Sequence, residues 1–249
     1  MKSITKKISL LLVLSATLFL SSCLDSDAGS WAGNEEYSYI TQDPATNLVY
    51  ARTIQGYFIT SEKIRSFFSD GDIGFISYQI NFDEAERTMI GDQKNIIVYH
   101  ADLAGEPVKV AQTKVKFESV PDAPIVHFEN IMTPIFSENT YFGDRWYFPF
   151  QVKLKKGEKV KANFYKVPDE GETSSDEVII DIRLTKSGEA EDGATDKTVA
   201  DFAVADFSDL RMMFEGSGKK ELNLKFRFYR TINKDDLYTT TEIYTIHLK

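Results

Sequence analysis

The sequence predicts an all-β protein: a small barrel-like domain at residues 40–118, then an antiparallel β-sandwich at 119–249, behind a lipoprotein signal peptide. Three observations carry this. Runs of alternating apolar and polar residues recur through the chain at sandwich-like and barrel-like spacing, separated by Gly, Asp and Pro clusters. Helix signals are scarce. The first 23 residues carry an export pattern that ends in the only cysteine of the chain.

Lys2, Lys6 and Lys7 form a positive n-region, and an apolar run follows from Ile8 to Leu20. At 1.5 Å rise per residue that run covers about 20 Å, short of the ~30 Å a spanning helix must cross. It therefore reads as a signal h-region, and residues 1–22 as a cleaved signal peptide. Leu20-Ser21-Ser22-Cys23 resembles the bacterial lipobox. There the cysteine thiol accepts a diacylglyceryl group, and small preceding residues let the peptidase reach the bond. Cys23 is thus the expected lipid-attachment site (palmitate among its acyl chains). With one cysteine there is no disulfide framework to weigh.

Cleavage removes three lysines and leaves 26 basic against 38 acidic residues, a formal charge of −12. Such a chain repels phosphate backbones and has no basic stripe, which argues against nucleic acid as a partner. It also lacks a polybasic patch for anionic lipid, so membrane contact is expected through the lipid alone, and several acyl chains anchor stably. Residues 23–39 are rich in small, acidic and turn residues and predict a flexible tether. Trp31 within it could rest at the membrane interface, dock on the first domain, or do neither. Asp25 and Asp27 leave two readings open, a weak surface-export signal or a solvated linker.

In the mature chain, strands are expected at Ile54–Thr60, Gly74–Phe82, Asn95–Tyr99, Lys109–Phe117, Ile125–Ile131, Trp146–Leu154, Lys159–Tyr165 and Glu177–Thr185. The clearest is Glu221–Tyr229, where Leu222, Leu224, Phe226 and Phe228 share one face. Thr239–Leu248 reads as its partner, with Asn233-Lys234-Asp235-Asp236 as the turn. Ser61–Phe68 predicts a short helix capped by Ser61. The stretch from Glu118 to Pro124 carries two prolines and reads as the interdomain linker.

These features together resemble the NigD-like lipoproteins of Bacteroidetes. The matching residues are Leu20-Ser21-Ser22-Cys23 with acidic residues after it, the Asp70-Gly71-Asp72-Ile73-Gly74-Phe75-Ile76-Ser77-Tyr78 run, and the Tyr141-Phe142-Gly143-Asp144-Arg145-Trp146-Tyr147-Phe148-Pro149-Phe150 run. The resemblance implies an OB-like barrel followed by a β-sandwich and a place in the outer membrane, on its periplasmic or its surface face. The family takes its name from bacteriocin loci, and its molecular function is not established.

No catalytic constellation emerges. His100, His127 and His247 show no short ligand spacing and read as strand-end or surface residues. Asn233–Asp236 and Asp169-Glu170 lack the spacing of a calcium loop and read as turns. Gly216-Ser217-Gly218-Lys219 has Met213 where a phosphate loop needs glycine, and reads as a hairpin turn. No Gly-x-Ser-x-Gly elbow is present. The expectation is a non-enzymatic envelope protein with no cofactor and no metal, binding a protein or glycan. A structural or bacteriocin-immunity component is the alternative, and a carboxylate hydrolase a third. Candidate ligand-binding residues are Trp146 and Tyr147: core packing accounts for the aromatic run, and an exposed platform for a sugar or partner is the functional alternative.

Overall fold

The computed structural model describes residues 29–91, 95–136, 143–168 and 177–248, with the side chains of 233–235 excepted. Residues 1–22, expected to be a signal peptide, and Cys23 lie outside them. The protein is all-β and divides into two compact units, one of residues up to 108 and one from Lys109 onward that also takes in Gly71–Ile73.

The first unit holds β1 (Ser30–Gln42), β2 (Val49–Thr53), β3 (Phe58–Thr60), α1 (Glu62–Phe67), β4 (Ile73–Asn81), β5 (Arg87–Ile90), β6 (Ile96–His100), β7 (Asp102–Leu103) and β8 (Val108–Val110). Its sheet order is β5-β6-β3-β2-β1-β4-β7, with β8 on β4. β1, β2 and β3 form a meander, and β3 then pairs parallel with β6. In β4 the alternation of Ile76, Tyr78 and Ile80 with Ser77, Gln79 and Asn81 buries the first row, as a period of two requires. Ser61 caps α1 by accepting from the Ile64 amide at 3.1 Å, and Ile64 is fully buried beneath it. Gly74 admits no side chain: a Cβ there would lie 2.5 Å from the Phe68 ring.

β1 corrects the expected tether. Residues from Ser30 onward are strand, so the 23–39 segment is at most half tether. The cause is visible in its second half, where Tyr37 and Ile40 are buried and the strand pairs with β2 from Ser38 to Gln42. Trp31 packs on Tyr57, ring centroids 5.3 Å apart, which selects docking on the first unit among the three alternatives.

The second unit holds β9 (Gln112–Lys116), β10 (Phe128–Ile131), β11 (Arg145–Leu154), β12 (Lys159–Lys166), β13 (Glu177–Ser187), β14 (Lys197–Asp206), α2 (Ser208–Phe214), β15 (Glu221–Arg230), β16 (Asn233–Thr239) and β17 (Tyr244–His247). Seven of these strands close into a barrel in the order β10-β11-β14-β9-β12-β13-β15, sealed by the parallel pair Phe128↔Arg230. A single closed sheet thus stands where two facing sheets were expected. Its core is aromatic: Phe128, Trp146, Phe148, Phe150, Phe164, Phe207, Phe226 and Phe228 are all buried. Their rings meet mostly edge-to-face or tilted, as with Phe148 on Phe226 at 5.0 Å and 83°.

The boundary between the units also differs from the expected 118/119. Gln112–Lys116 sits between β14 and β12 in the second sheet, parallel to both, and carries the division back to Val108 and Lys109. The proline stretch expected to be a linker instead lies on the outside of the barrel. Pro121, Pro124, Ile125 and Val126 border a cavity of about 40 Å³ with Tyr165, Arg183 and Tyr229.

Beneath that stretch Asp181 is fully buried, held by Arg183 (Nε to Oδ1, 2.5 Å) and Arg227 (Nη2 to Oδ2, 2.8 Å).

Candidate functional site

A cavity of about 250 Å³ in the second unit opens at the barrel seam. Its origin is a mismatch of registers. β10 touches β15 at one residue pair and continues along β11 after an irregularity between Phe128 and Asn130. Across the seam, β15 is paired by β16 from Arg227 and by β17 up to Leu224. Thr239 to Tyr244 is five steps of chain, whereas Arg227 to Leu224 is three. The surplus is the loop Thr240–Ile243, exposed from Thr241 onward, of which Thr240, Thr241 and Glu242 form one wall. The opposite wall is Asn130–Pro134, and Phe148, Phe226 and Phe228 of the core form the floor.

Hydrogen bonds fix the outer wall. The Phe226 amide donates to Thr240 Oγ1 at 3.1 Å, and the Thr240 amide donates back to the Phe226 carbonyl at 2.8 Å. The Tyr244 hydroxyl donates to Glu242 Oε2 at 2.6 Å. Burial first, and that bond second, push the Tyr244 hydroxyl up to about 12. Arg230 and Tyr238 complete the lining, with the guanidinium carbon 3.6 Å from the Tyr238 ring centroid. The site is an aromatic-floored pocket with a polar rim, the form small-ligand sites commonly take.

The two candidate binding residues of the aromatic run do not come together here. Trp146 is 3% exposed, stacks on Phe136 at 4.3 Å and 16°, and meets Phe207 edge-on. An exposed platform at Trp146 is therefore ruled out, because strand alternation turns it into the barrel. Tyr147 faces the other way, half-buried, stacked on Phe202 at 5.0 Å and 23°. Burial, and then the charge of Asp201, raise its hydroxyl above the usual tyrosine range. Cys23 lies outside the described residues, as does Asp169-Glu170.

The remaining motifs are placed as follows. His100 Nε2 lies 3.0 Å from Thr88 Oγ1, His127 packs edge-on against Tyr229, and His247 pairs with Glu221 at 3.3 Å. Among the described residues no group of three or more His, Cys, Asp or Glu could hold a metal ion. Gly216 and Gly218 both adopt positive φ, but α2 precedes them, so they turn a helix into β15 and not one strand into another. Asn233–Asp236 belongs to β16, and the hairpin turns at Thr231 and Ile232.

Arg230, Tyr238, Glu242 and Tyr244 were not singled out by the sequence reading. One signal was present: Leu222, Leu224, Phe226 and Phe228 define an inward row, and the next position on it is Arg230.

Comparison with known proteins gives a fold. No protein-family model and no curated protein matches the chain. Among solved structures it is similar to a protein of unknown function from Bacteroides vulgatus, at TM-score 0.51 and 12% identity, over 85% of this chain and 91% of that one. The two share a fold. A Bacteroides fragilis protein provisionally described as a lipoprotein has TM-score 0.49 and 13% identity, over 88% and 98% of the two chains. A Parabacteroides distasonis protein provisionally described as toxin-related has TM-score 0.45 and 10% identity, over 86% and 93%.

Proposed function

We propose that the chain is a lipid-anchored lipoprotein of the bacterial outer membrane, of the NigD-like kind, whose second unit is a non-enzymatic module binding a ligand at the barrel seam. The observation that carries the binding role is the cavity itself. A seven-strand barrel of this size ordinarily fills its interior with side chains. Here the floor rings Phe148, Phe226 and Phe228 border an opening whose walls are held by paired hydrogen bonds. An OB-like assignment for the first unit is supported by its β1-β2-β3 meander, the helix after β3 and the parallel β3–β6 pair.

Anchoring sets a short leash. Seven residue steps separate Cys23 from Ser30, a reach of at most about 25 Å. Labelling cells with an alkyne fatty acid should mark the wild-type chain and leave Cys23→Ser unmarked and soluble after fractionation. Label retained in the serine variant would reject the anchor. Protease added to intact cells then decides between the surface and the periplasmic face.

Binding is tested by saturation-transfer NMR of small sugars, sugar acids and short peptides against the full chain in detergent. Hits should disappear in Thr241→Trp, which fills the mouth of the cavity. Hits that persist there, or a complete lack of hits with wild type, reject the cavity as the binding site.

A further inference from the structure

We propose that the seam cavity is a receptor for a small organic carboxylate, with Arg230 as the residue that takes the carboxylate and the aromatic floor as the surface for its ring body. The inference rests on the reading of the cavity as a binding site and adds the chemical class of its ligand.

Arg230 stands apart from every other arginine of its unit. Arg145 pairs with Asp206 at 2.9 Å, and Arg211 with Asp144 at 2.6 Å. Arg183 and Arg227 share Asp181. Arg230 pairs with no carboxylate of a described residue, and its Nε is buried without a hydrogen-bond partner. One carboxylate does stand in the same lining, that of Glu242, and it accepts from the Tyr244 hydroxyl instead.

A partly buried guanidinium with no anion among the described residues carries a desolvation cost that the four other arginines of the unit offset with a carboxylate. The geometry also prepares the group for a ligand. Stacking on Tyr238 at 3.6 Å holds the guanidinium plane, and a guanidinium so held can meet a carboxylate in a bidentate fork. Asn130 and Thr241 offer further polar contacts along the walls, and Phe226 and Phe228 present apolar surface below. An inorganic anion would engage Arg230 but leave that surface uncovered. A neutral ring would cover the surface but leave Arg230 unpaired.

The test uses two acid–neutral pairs against the full-length chain in detergent, with affinities from NMR titration. 3-Phenylpropionate with 3-phenylpropionamide represents an apolar-bodied acid, and glucuronate with glucose represents a sugar acid. In at least one pair the acid should bind at least tenfold more tightly than its neutral partner, and the pair that does so identifies the source. Arg230→Gln should erase that preference, and Arg230→Lys should keep part of it. Unchanged melting of both variants separates lost recognition from lost folding. Acid and neutral forms binding equally in both pairs overturns the carboxylate proposal while leaving the cavity as a binding site. So does a preference that survives Arg230→Gln. No binding by any of the four overturns both.

Discussion

Asp181→Ala is the sharpest probe of how the second unit is held together. The carboxylate is fully buried: Oδ2 accepts from Arg183 Nη2 at 2.9 Å and from Arg227 Nε at 2.9 Å and lies 2.8 Å from Arg227 Nη2, while Oδ1 is ion-paired with Arg183 Nε at 2.5 Å without forming a hydrogen bond. Arg183 is pinned further by Tyr229, 4.4 Å from its guanidinium carbon. Removing the carboxylate leaves two positive charges together on the barrel wall. Breaking a buried pair of this kind costs about 3–5 kcal/mol. Both arginine side chains keep roughly a quarter of their surface in water, which favours the lower end. At about 3 °C per kcal/mol for a unit of this length, melting should fall by about 10 °C. The assay is urea or thermal unfolding in a Trp31→Phe background, where fluorescence from Trp146 reports the second unit alone. Combining Asp181→Leu with Arg183→Met and Arg227→Met should recover more than half of the loss, since no charge is then stranded. A loss below about 1 kcal/mol for Asp181→Ala, or a triple variant no better than the single, would refute the reasoning.

Trp146→Ala should destabilise the second unit by about 3–5 kcal/mol through cavity formation, whereas Tyr147→Ala, half-buried on the outer face, should cost about 1 kcal/mol; chemical unfolding compares them directly. Because Tyr244 titrates near 10 when unfolded and about 12 in the fold, its contribution is complete below pH 10 and is lost as pH rises from 10 to 12. Tyr244→Phe should therefore flatten the alkaline decline of stability over that interval, and an unchanged profile would reject the assignment. Ser61→Ala removes the cap of α1 and should cost the first unit about 1 kcal/mol, with Ser61→Asp restoring most of it.

What was legible in the sequence was what period two writes plainly. Glu221–Tyr229 and Trp146–Leu154 are strands whose inward rows are the ones alternation gives, and Ser61 caps the one helix that was expected. The strands that escaped notice lack that contrast. Ser30–Gln42 opens with Ser-Trp-Ala-Gly-Asn-Glu-Glu, a composition that suits a tether, and its place in the sheet between β2 and β4 makes it a strand. Lys197–Asp206 spends its first four residues exposed and is held by a ten-pair ladder to β11. Non-local partners of this kind leave no mark in a short window. The site was harder still. Tyr244 falls within Thr239–Leu248, which reads as one strand, while Tyr238 lies just before it; only the surplus of residues against β15 shows that two strands, β16 and β17, stand there.

That surplus ties the architecture to the proposed site. A barrel whose seam were paired along its whole length would bring β10 against β15 and bury the inward row to its end. Arg230, the next position on that row, could not then be accommodated, because an arginine without an anion has no place in an apolar core. The single pair at Phe128, the irregularity after it and the loop at Thr240–Ile243 together give the row an open end. The same departure from regular pairing that admits Arg230 also brings the buried rings of Phe226 and Phe228 to the lining beside it. The charge and the apolar floor are therefore consequences of one backbone feature. Deleting Thr241 and Glu242 should draw β16 and β17 into one continuous strand and close the cavity, with Arg230 losing its place beside Tyr238. Such a variant should fold and melt near wild type but bind neither acid nor neutral probe. If it bound them as wild type does, the loop would not be what makes the site.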